Sequence, residues 1–172
     1  SSVTTTLTWK GNNLTNPSFW DTTTTNWDNT GSADRFFNGD NVVFNDTASS
    51  YAVAVQAGGV SPSGMQFANT ANSYTISGGS IYGSNGLVKD GAGSVTLASA
   101  NSYTGETLIK AGTLVVQNGA ALGSVTGGTT VTNGSTLDEG GMNLGAEVVT
   151  ISGSGVGGNG AIVNNSGVDQ IN

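Results

Sequence analysis

The stretch GLVKDGAGSVTL at residues 86–97, followed by ETLIKAGTLVV at residues 106–116, decides the fold. Each copy has a short apolar run that ends at a lysine, a turn with glycine, and a second short run. Alternation such as Val95-Thr96-Leu97 is typical of a strand with one buried and one exposed face. Lys110 follows Lys89 at an interval close to one coil of a β-helix, whose corners require small or left-handed residues.

Short β-type runs, separated by glycine and asparagine, continue along the whole chain. No window of eleven residues sustains an apolar i, i+3, i+4 pattern, so we expect almost no helix. The runs predict strands at residues 7–10, 41–44, 51–56, 65–67, 74–77, 80–82, 86–89, 94–98, 106–110, 113–117, 129–132, 135–137, 148–152 and 161–163.

Two architectures use so many short strands: a sandwich or barrel, and a solenoid. From about Gly78 onward the chain repeats a simple unit of strand, glycine or asparagine turn, and strand, which favours the solenoid. The sequence therefore predicts an all-β fold with coils stacked about 4.8 Å apart.

The composition excludes several classes of function. Among 172 residues there is no cysteine and no histidine, and the formal net charge is −7. Ser/His/Asp sites, Cys/His sites and His-ligated metals are therefore impossible. The four cations are scattered and cannot form a basic patch for nucleic acid or an anionic membrane. No apolar run reaches the length of a membrane span, so we expect no membrane insertion by this segment.

The first fifty residues differ from the rest. Seven of the twelve aromatic residues fall between positions 9 and 44, and five of the eight aspartates fall between positions 21 and 46. An exposed solenoid end has unpaired strand edges and an open core, and it requires a cap. We predict an aromatic-rich N-terminal cap at residues 1–50 with its rings mostly buried, and β-solenoid coils at residues 51–172.

A longer motif carries a family resemblance. The stretch at residues 86–97 is followed by NSYTGET at 101–107 and AGTL at 111–114. This pattern resembles the autotransporter-associated β-strand repeat, found in passenger regions of autotransporters and in large bacterial surface proteins. The resemblance implies a right-handed parallel β-helix that is secreted or exposed at the cell surface. It also implies a non-enzymatic stalk, fibre or adhesion surface.

Two alternative functions have sequence support. Trp9, Trp20 and Trp27 have aspartate and asparagine neighbours, and such residues suit sugar rings and hydroxyls, so they are the candidate carbohydrate-binding residues. The competing interpretation of the same rings is a buried cap core. A polysaccharide lyase-like β-helix is the more distant alternative, because Lys89 and Lys110 could stack on one face.

No cofactor is expected apart from Ca²⁺. Asp40, Asn45 and Asp46 offer oxygen ligands, although their spacing matches no EF-hand loop or glycine-rich Ca²⁺ nonapeptide. Turn formation is the competing interpretation of these three residues.

The expected partners follow from the solenoid. The segment at residues 168–172 is strand-like, and a blunt coil end leaves backbone groups and apolar core facing water. We expect that end to meet further coils of a longer parent chain or another copy of the chain. An extracellular polysaccharide or a host surface is the other class of partner.

Overall fold

The structure is a computed structural model that describes residues 4–166. Among these residues it contains sixteen short strands and no α-helix. The strands are β1 (Thr6–Trp9), β2 (Phe19–Trp20), β3 (Trp27–Asn29), β4 (Ser32–Asp34), β5 (Asn41–Phe44), β6 (Ala52–Val55), β7 (Gly64–Phe67), β8 (Tyr74–Gly78), β9 (Leu87–Lys89), β10 (Ser94–Leu97), β11 (Thr107–Ile109), β12 (Gly112–Val116), β13 (Thr129–Val131), β14 (Ser135–Asp138), β15 (Val149–Ile151) and β16 (Ile162–Val163).

The strands form two sheets whose ladders run parallel except at one end. Sheet A has the order β15-β13-β11-β9-β7-β5-β1-β3-β4, and sheet B has the order β16-β14-β12-β10-β8-β6-β2. From β5 onward, successive strands alternate between the two sheets, and each strand pairs with the strand two places along the chain. This topology is a parallel β-solenoid, as predicted; its right-handed sense stays a prediction.

The coils of sheet A are similar but not identical in length. Asn41 pairs with Gly64, whereas Leu87 pairs with Thr107, so the second of these coils is slightly shorter than the first. Both coil lengths are close to the interval between Lys89 and Lys110, and the predicted coil length is therefore confirmed. Insertions at the corners absorb the difference, because the strands themselves must stay in register for their side chains to reach the core.

Most predicted strands are confirmed within one or two residues. The run at residues 80–82 is reduced to one parallel bridge between Val60 and Ile81. The sequence did not predict β2, β3 and β4, which are only two or three residues long. A short 3-10 turn at Val156–Gly158 is the one helical element among residues 4–166, and no helix in that range is long and apolar enough to cross a membrane.

The core follows the strand alternation. In β5, β6, β7 and β10 every second residue is buried, and the buried residues of neighbouring coils stack in columns. One column runs from Phe44 through Phe67, Lys89 and Ile109 to Val131. The rings of Phe44 and Phe67 lie face to face, with centroids 4.6 Å apart.

Glycine is required where one corner rests on the next. A Cβ atom on Gly91 would lie 2.0 Å from the carbonyl oxygen of Asn69 in the preceding coil. Gly112 has φ +69°, and its Cβ would lie 2.3 Å from the carbonyl oxygen of Gly93. Corners of this kind let backbones stack at the strand spacing without side chains between them.

Five of the seven aromatic residues near the N-terminus pack into the end of the core, whereas Phe19 and Phe37 are exposed. The strands β3 and β4 form an antiparallel hairpin that continues sheet A beyond β1. Trp27 lies in this hairpin, and its ring contacts those of Trp9, Trp20 and Phe44 at centroid distances of 5.0 to 5.5 Å. The boundary at residue 50 stays a prediction, and strands from both sides of it belong to the same two sheets.

Candidate functional site

The three tryptophans predicted to bind carbohydrate are inside the core. Trp9 and Trp20 are 0% exposed and Trp27 is 1% exposed. Their indole rings pack edge-to-face against one another and against Phe36 and Phe44 instead of facing solvent. A sugar ring cannot stack on a ring that has no exposed face, so the prediction that these residues form a binding platform is wrong. The competing interpretation, a buried cap core, agrees with the structure.

The three residues predicted to bind Ca²⁺ are not brought together. Asp40 precedes β5 and Asp46 follows it, and this four-residue strand, which rises about 3.3 Å per residue, holds the two carboxylates apart. Among the described residues, no group of three or more acidic side chains is placed to hold a metal ion. The strand between them is the physical reason that this site does not form.

Each of the three instead stabilises local backbone. The carboxylate of Asp40 accepts hydrogen bonds from the amides of Thr5 and Phe37, at 3.3 and 2.9 Å. The side-chain oxygen of Asn45 accepts the amide of Thr47 at 2.9 Å. The turn-forming interpretation therefore agrees with the structure at Asn45, and Asp40 joins two separate segments.

Asp46 joins two coils. Its carboxylate accepts hydrogen bonds from the amide and the hydroxyl of Thr70, both at 2.7 Å, and from the amide of Asn72 at 3.0 Å. The hydrogen bonds from Thr70, above all from its hydroxyl, lower the pKa of Asp46 well below its usual range. Asp138 repeats the arrangement near the other end of the described chain, where it accepts the amide and the side-chain nitrogen of Asn165. These carboxylates hold successive corners together.

The two lysines of the lyase alternative do not share a face. Lys89 is 0% exposed, and its ladder partner in the next coil is Ile109. Lys110 is the residue after that partner, so it points to the opposite face and is exposed. The Lys89 ammonium donates to the carbonyl oxygens of Gly91 and Ala111, in successive coils. Burial lowers the pKa of Lys89 to about 8, although Asp90 and Asp46 oppose the shift. The stacked pair that a lyase-like site would use is therefore absent at these positions.

The structure exposes an aromatic ring that the sequence interpretation did not select. Phe19 and Trp20 are adjacent in β2, so their side chains point to opposite faces of sheet B. Trp20 enters the core, and Phe19 is 44% exposed on the outside. Phe19 borders a depression of about 340 Å³ that Asp21 and Gln56 also line. The alternation within a two-residue strand was the only available signal, and it does not say which residue points outward.

One segment of the chain matches a known family of repeats, and this segment corresponds to whole coils. Residues 87–116 match the family described as Passenger-associated-transport-repeat. These residues include β9, β10, β11 and β12, which are two successive coils of the solenoid. The resemblance predicted from the motif at residues 86–114 is confirmed.

A curated relative shows the same relationship. The "Adhesin BmaC autotransporter" of Brucella suis biovar 1 (strain 1330) is 50% identical over 78 residues, which is 45% of this chain and 2% of that relative. The chain thus matches a very small part of the relative's length. No solved structure gives a significant match. The two matches confirm the predicted location, secreted or at the cell surface, for this segment of an exported protein.

Proposed function

We propose that this chain is a rigid, non-enzymatic spacer with an adhesive outer surface, within an exported bacterial surface protein. The observation that carries the proposal is the unbroken parallel ladder on two sides of the molecule, from β5 to β15 in sheet A and from β2 to β16 in sheet B. Backbone hydrogen bonds of such ladders lie along the stacking axis, so bending or stretching the column requires many of them to break together.

Side chains add further cross-links between coils. Asp46 joins its own corner to residues 70–72, and Lys89 joins Gly91 to Ala111. Asn101 joins three coils, because its side-chain oxygen accepts the amide of Ile81 and its side-chain nitrogen donates to the carbonyl oxygen of Ala121. Corners fixed in this way support a stiff column better than flexible loops would.

The adhesive part of the proposal is supported by the relative, whose name describes it as an adhesin. A passenger repeat presents its outer faces to the surroundings, and in this chain those faces carry mainly small hydroxyl, amide and aliphatic side chains. Another copy of the chain, further coils of a longer parent, an extracellular polysaccharide or a host surface are the proposed partners.

Lengthening the solenoid tests the spacer. Five extra copies of residues 87–106, each carrying Lys89→Met so that buried lysines do not stack, are inserted after residue 106. They keep the register because Leu87 and Thr107 occupy equivalent positions. Each coil adds about 4.8 Å, so we expect small-angle X-ray scattering to show a maximum dimension about 24 Å larger and an unchanged cross-section. The matched control is a flexible insert of glycine and serine with the same number of residues, which should give a flexible particle. Coil inserts that scatter like this control, or that thicken the particle instead of lengthening it, would refute the spacer.

A further inference from the structure

On the outer face of sheet B, a large side chain lies beside small ones at the N-terminal end. Phe19 in β2 pairs in register with Ala54 in β6, so a phenyl ring stands next to a methyl group on the same face. Ala57 follows shortly after β6 and is also exposed. The small side chains leave a depression of about 340 Å³ along one side of the ring. The ring forms a wall of this depression and remains 44% exposed.

Polar groups with fixed positions line the same depression. The Asp21 carboxylate accepts the amide of Thr24 at 2.6 Å and the amide of Thr23 at 2.8 Å. It also accepts the hydroxyl of Thr24 at 2.9 Å. The side-chain nitrogen of Gln56 donates to the carbonyl oxygen of Gly59 at 2.8 Å, which fixes the amide and leaves its oxygen as an acceptor. A ligand would therefore meet preorganised acceptors beside an apolar ring.

Charge selects the class of ligand. The residues that line the depression include Asp21 and no lysine or arginine, and the chain carries a net charge of −7. Uronic acids, sialic acids and phosphates would be repelled there. A neutral sugar ring has an apolar C–H face that can pack on a phenyl ring, and hydroxyls that can donate to a carboxylate and an amide oxygen.

The exposed phenyl ring of Phe37 differs in its surroundings. Phe37 is 47% exposed, close to the value for Phe19, but the Arg35 guanidinium lies 5.0 Å from the centre of its ring. A cation on the ring occupies the surface on which a sugar would stack. Phe37 is therefore a matched control: an equally exposed ring whose face a cation already covers.

We infer that the depression between Phe19, Asp21 and Gln56 binds a neutral hexose unit of an extracellular polysaccharide. The C–H face of the sugar packs on Phe19, and its hydroxyls donate to Asp21 and Gln56. This inference rests on the adhesive part of the proposed function and gives it a ligand class and a location.

Binding of defined neutral hexose oligomers tests the site. The probes are cellohexaose, maltohexaose, laminarihexaose and mannohexaose, with hexagalacturonate as the charged comparison, measured by ligand-observed NMR and by titration calorimetry on the full chain. We expect binding of at least one neutral oligomer and none of the uronate. Phe19→Ala should weaken binding about tenfold, Phe19→Trp should retain it, and Phe37→Ala should leave it unchanged. Asp21→Asn, which keeps an acceptor but removes the charge, should allow weak binding of the uronate.

Three results would overturn the inference. They are no binding of any neutral probe, equal binding by the wild type and Phe19→Ala, and loss of binding in Phe37→Ala but not in Phe19→Ala. Thermal unfolding of each variant separates a lost site from a lost fold, since the Phe19 ring lies outside the core. The scattering experiment on added coils needs no ligand, so failure of the sugar site leaves the spacer proposal to be judged separately.

Discussion

Lys89 lies directly opposite Phe67 in the parallel ladder, so a lysine occupies an interior position that aromatic rings occupy in the two preceding coils. Its aliphatic chain continues the core column, and its ammonium reaches the carbonyl oxygens of two successive corners. The column thus changes from aromatic to aliphatic residues at a lysine that joins neighbouring coils.

This lysine predicts an unusual dependence of stability on pH. Burial lowers the pKa of Lys89 to about 8 in the folded state, against 10.5 for an ordinary lysine. Between these values the unfolded chain binds a proton that the folded chain has released, so the free energy of unfolding rises with pH. We expect a gain of up to roughly 2–3 kcal/mol between pH 8 and 10, measured by urea unfolding.

The variant Lys89→Met is the control for this effect. It keeps the core volume and removes the titrating group, so its stability should not rise from pH 8 to 10. Above pH 10 the comparison ends, because burial raises the pKa of Tyr74 and of Tyr103, and their titration in the unfolded chain opposes folding. A wild-type stability that falls or stays level between pH 8 and 10 would contradict the lowered pKa of Lys89.

The carboxylate of Asp46 should stabilise the fold above its unfolded pKa. Hydrogen bonds from Thr70 and Asn72 lower the pKa of Asp46 below the ordinary 3.8. The stabilisation is therefore present above about pH 4 and is lost as the pH falls further. We expect Asp46→Ala to lower the melting temperature by roughly 2–6 °C at pH 7, measured by circular dichroism. The difference from the wild type should shrink as the pH falls toward 2, and a constant difference would indicate that the charge has no role.

Trp27 should contribute more to stability than any exposed ring. It is 1% exposed and packs against Trp9, Trp20 and Phe44, so Trp27→Ala leaves a large cavity in the cap. We expect a loss of about 3–5 kcal/mol in the free energy of unfolding, measured by urea unfolding. Phe37→Ala, which removes a ring that is half exposed, should cost less than about 1 kcal/mol. Similar losses in the two variants would show that the cap is not a packed core.

Corner glycines should differ in their tolerance of a methyl group. Neither Gly91 nor Gly58 has a positive φ, but a Cβ on Gly91 would meet the carbonyl oxygen of Asn69 at 2.0 Å, whereas a Cβ on Gly58 meets nothing within 4 Å. We expect Gly91→Ala to lower the free energy of unfolding by about 1–3 kcal/mol. Gly58→Ala should stay within about 0.5 kcal/mol of the wild type. Equal effects would mean that backbone freedom, and not space between coils, requires glycine at position 91.

The association predicted for residues 168–172 lies outside the described residues. Sedimentation of the chain over a concentration series remains the measurement that checks it.

The sequence by itself determined the class of fold and the approximate positions of most strands. Glycine, threonine, serine and asparagine form helices poorly, and the alternation in runs such as Val95-Thr96-Leu97 has the period of a strand. These signals are local, because each depends only on residues within a few positions of one another. The motif that matches the passenger-associated repeat was readable for the same reason. The coil length was readable only approximately, from the interval between Lys89 and Lys110.

For some pairs of similar residues, only the tertiary structure decided which one faces the core. Phe19 and Trp20 have the same sequence signal, and so do Lys89 and Lys110, yet one member of each pair is buried and the other is exposed. Adjacent strand residues point to opposite faces, so a shift of one residue in register exchanges inside and outside. That register depends on the corners, whose lengths differ from one coil to another. Packing between coils decides which residues form each corner. The coil from Leu87 to Thr107 is one residue shorter than the interval from Lys89 to Lys110, so the two lysines do not lie on one face.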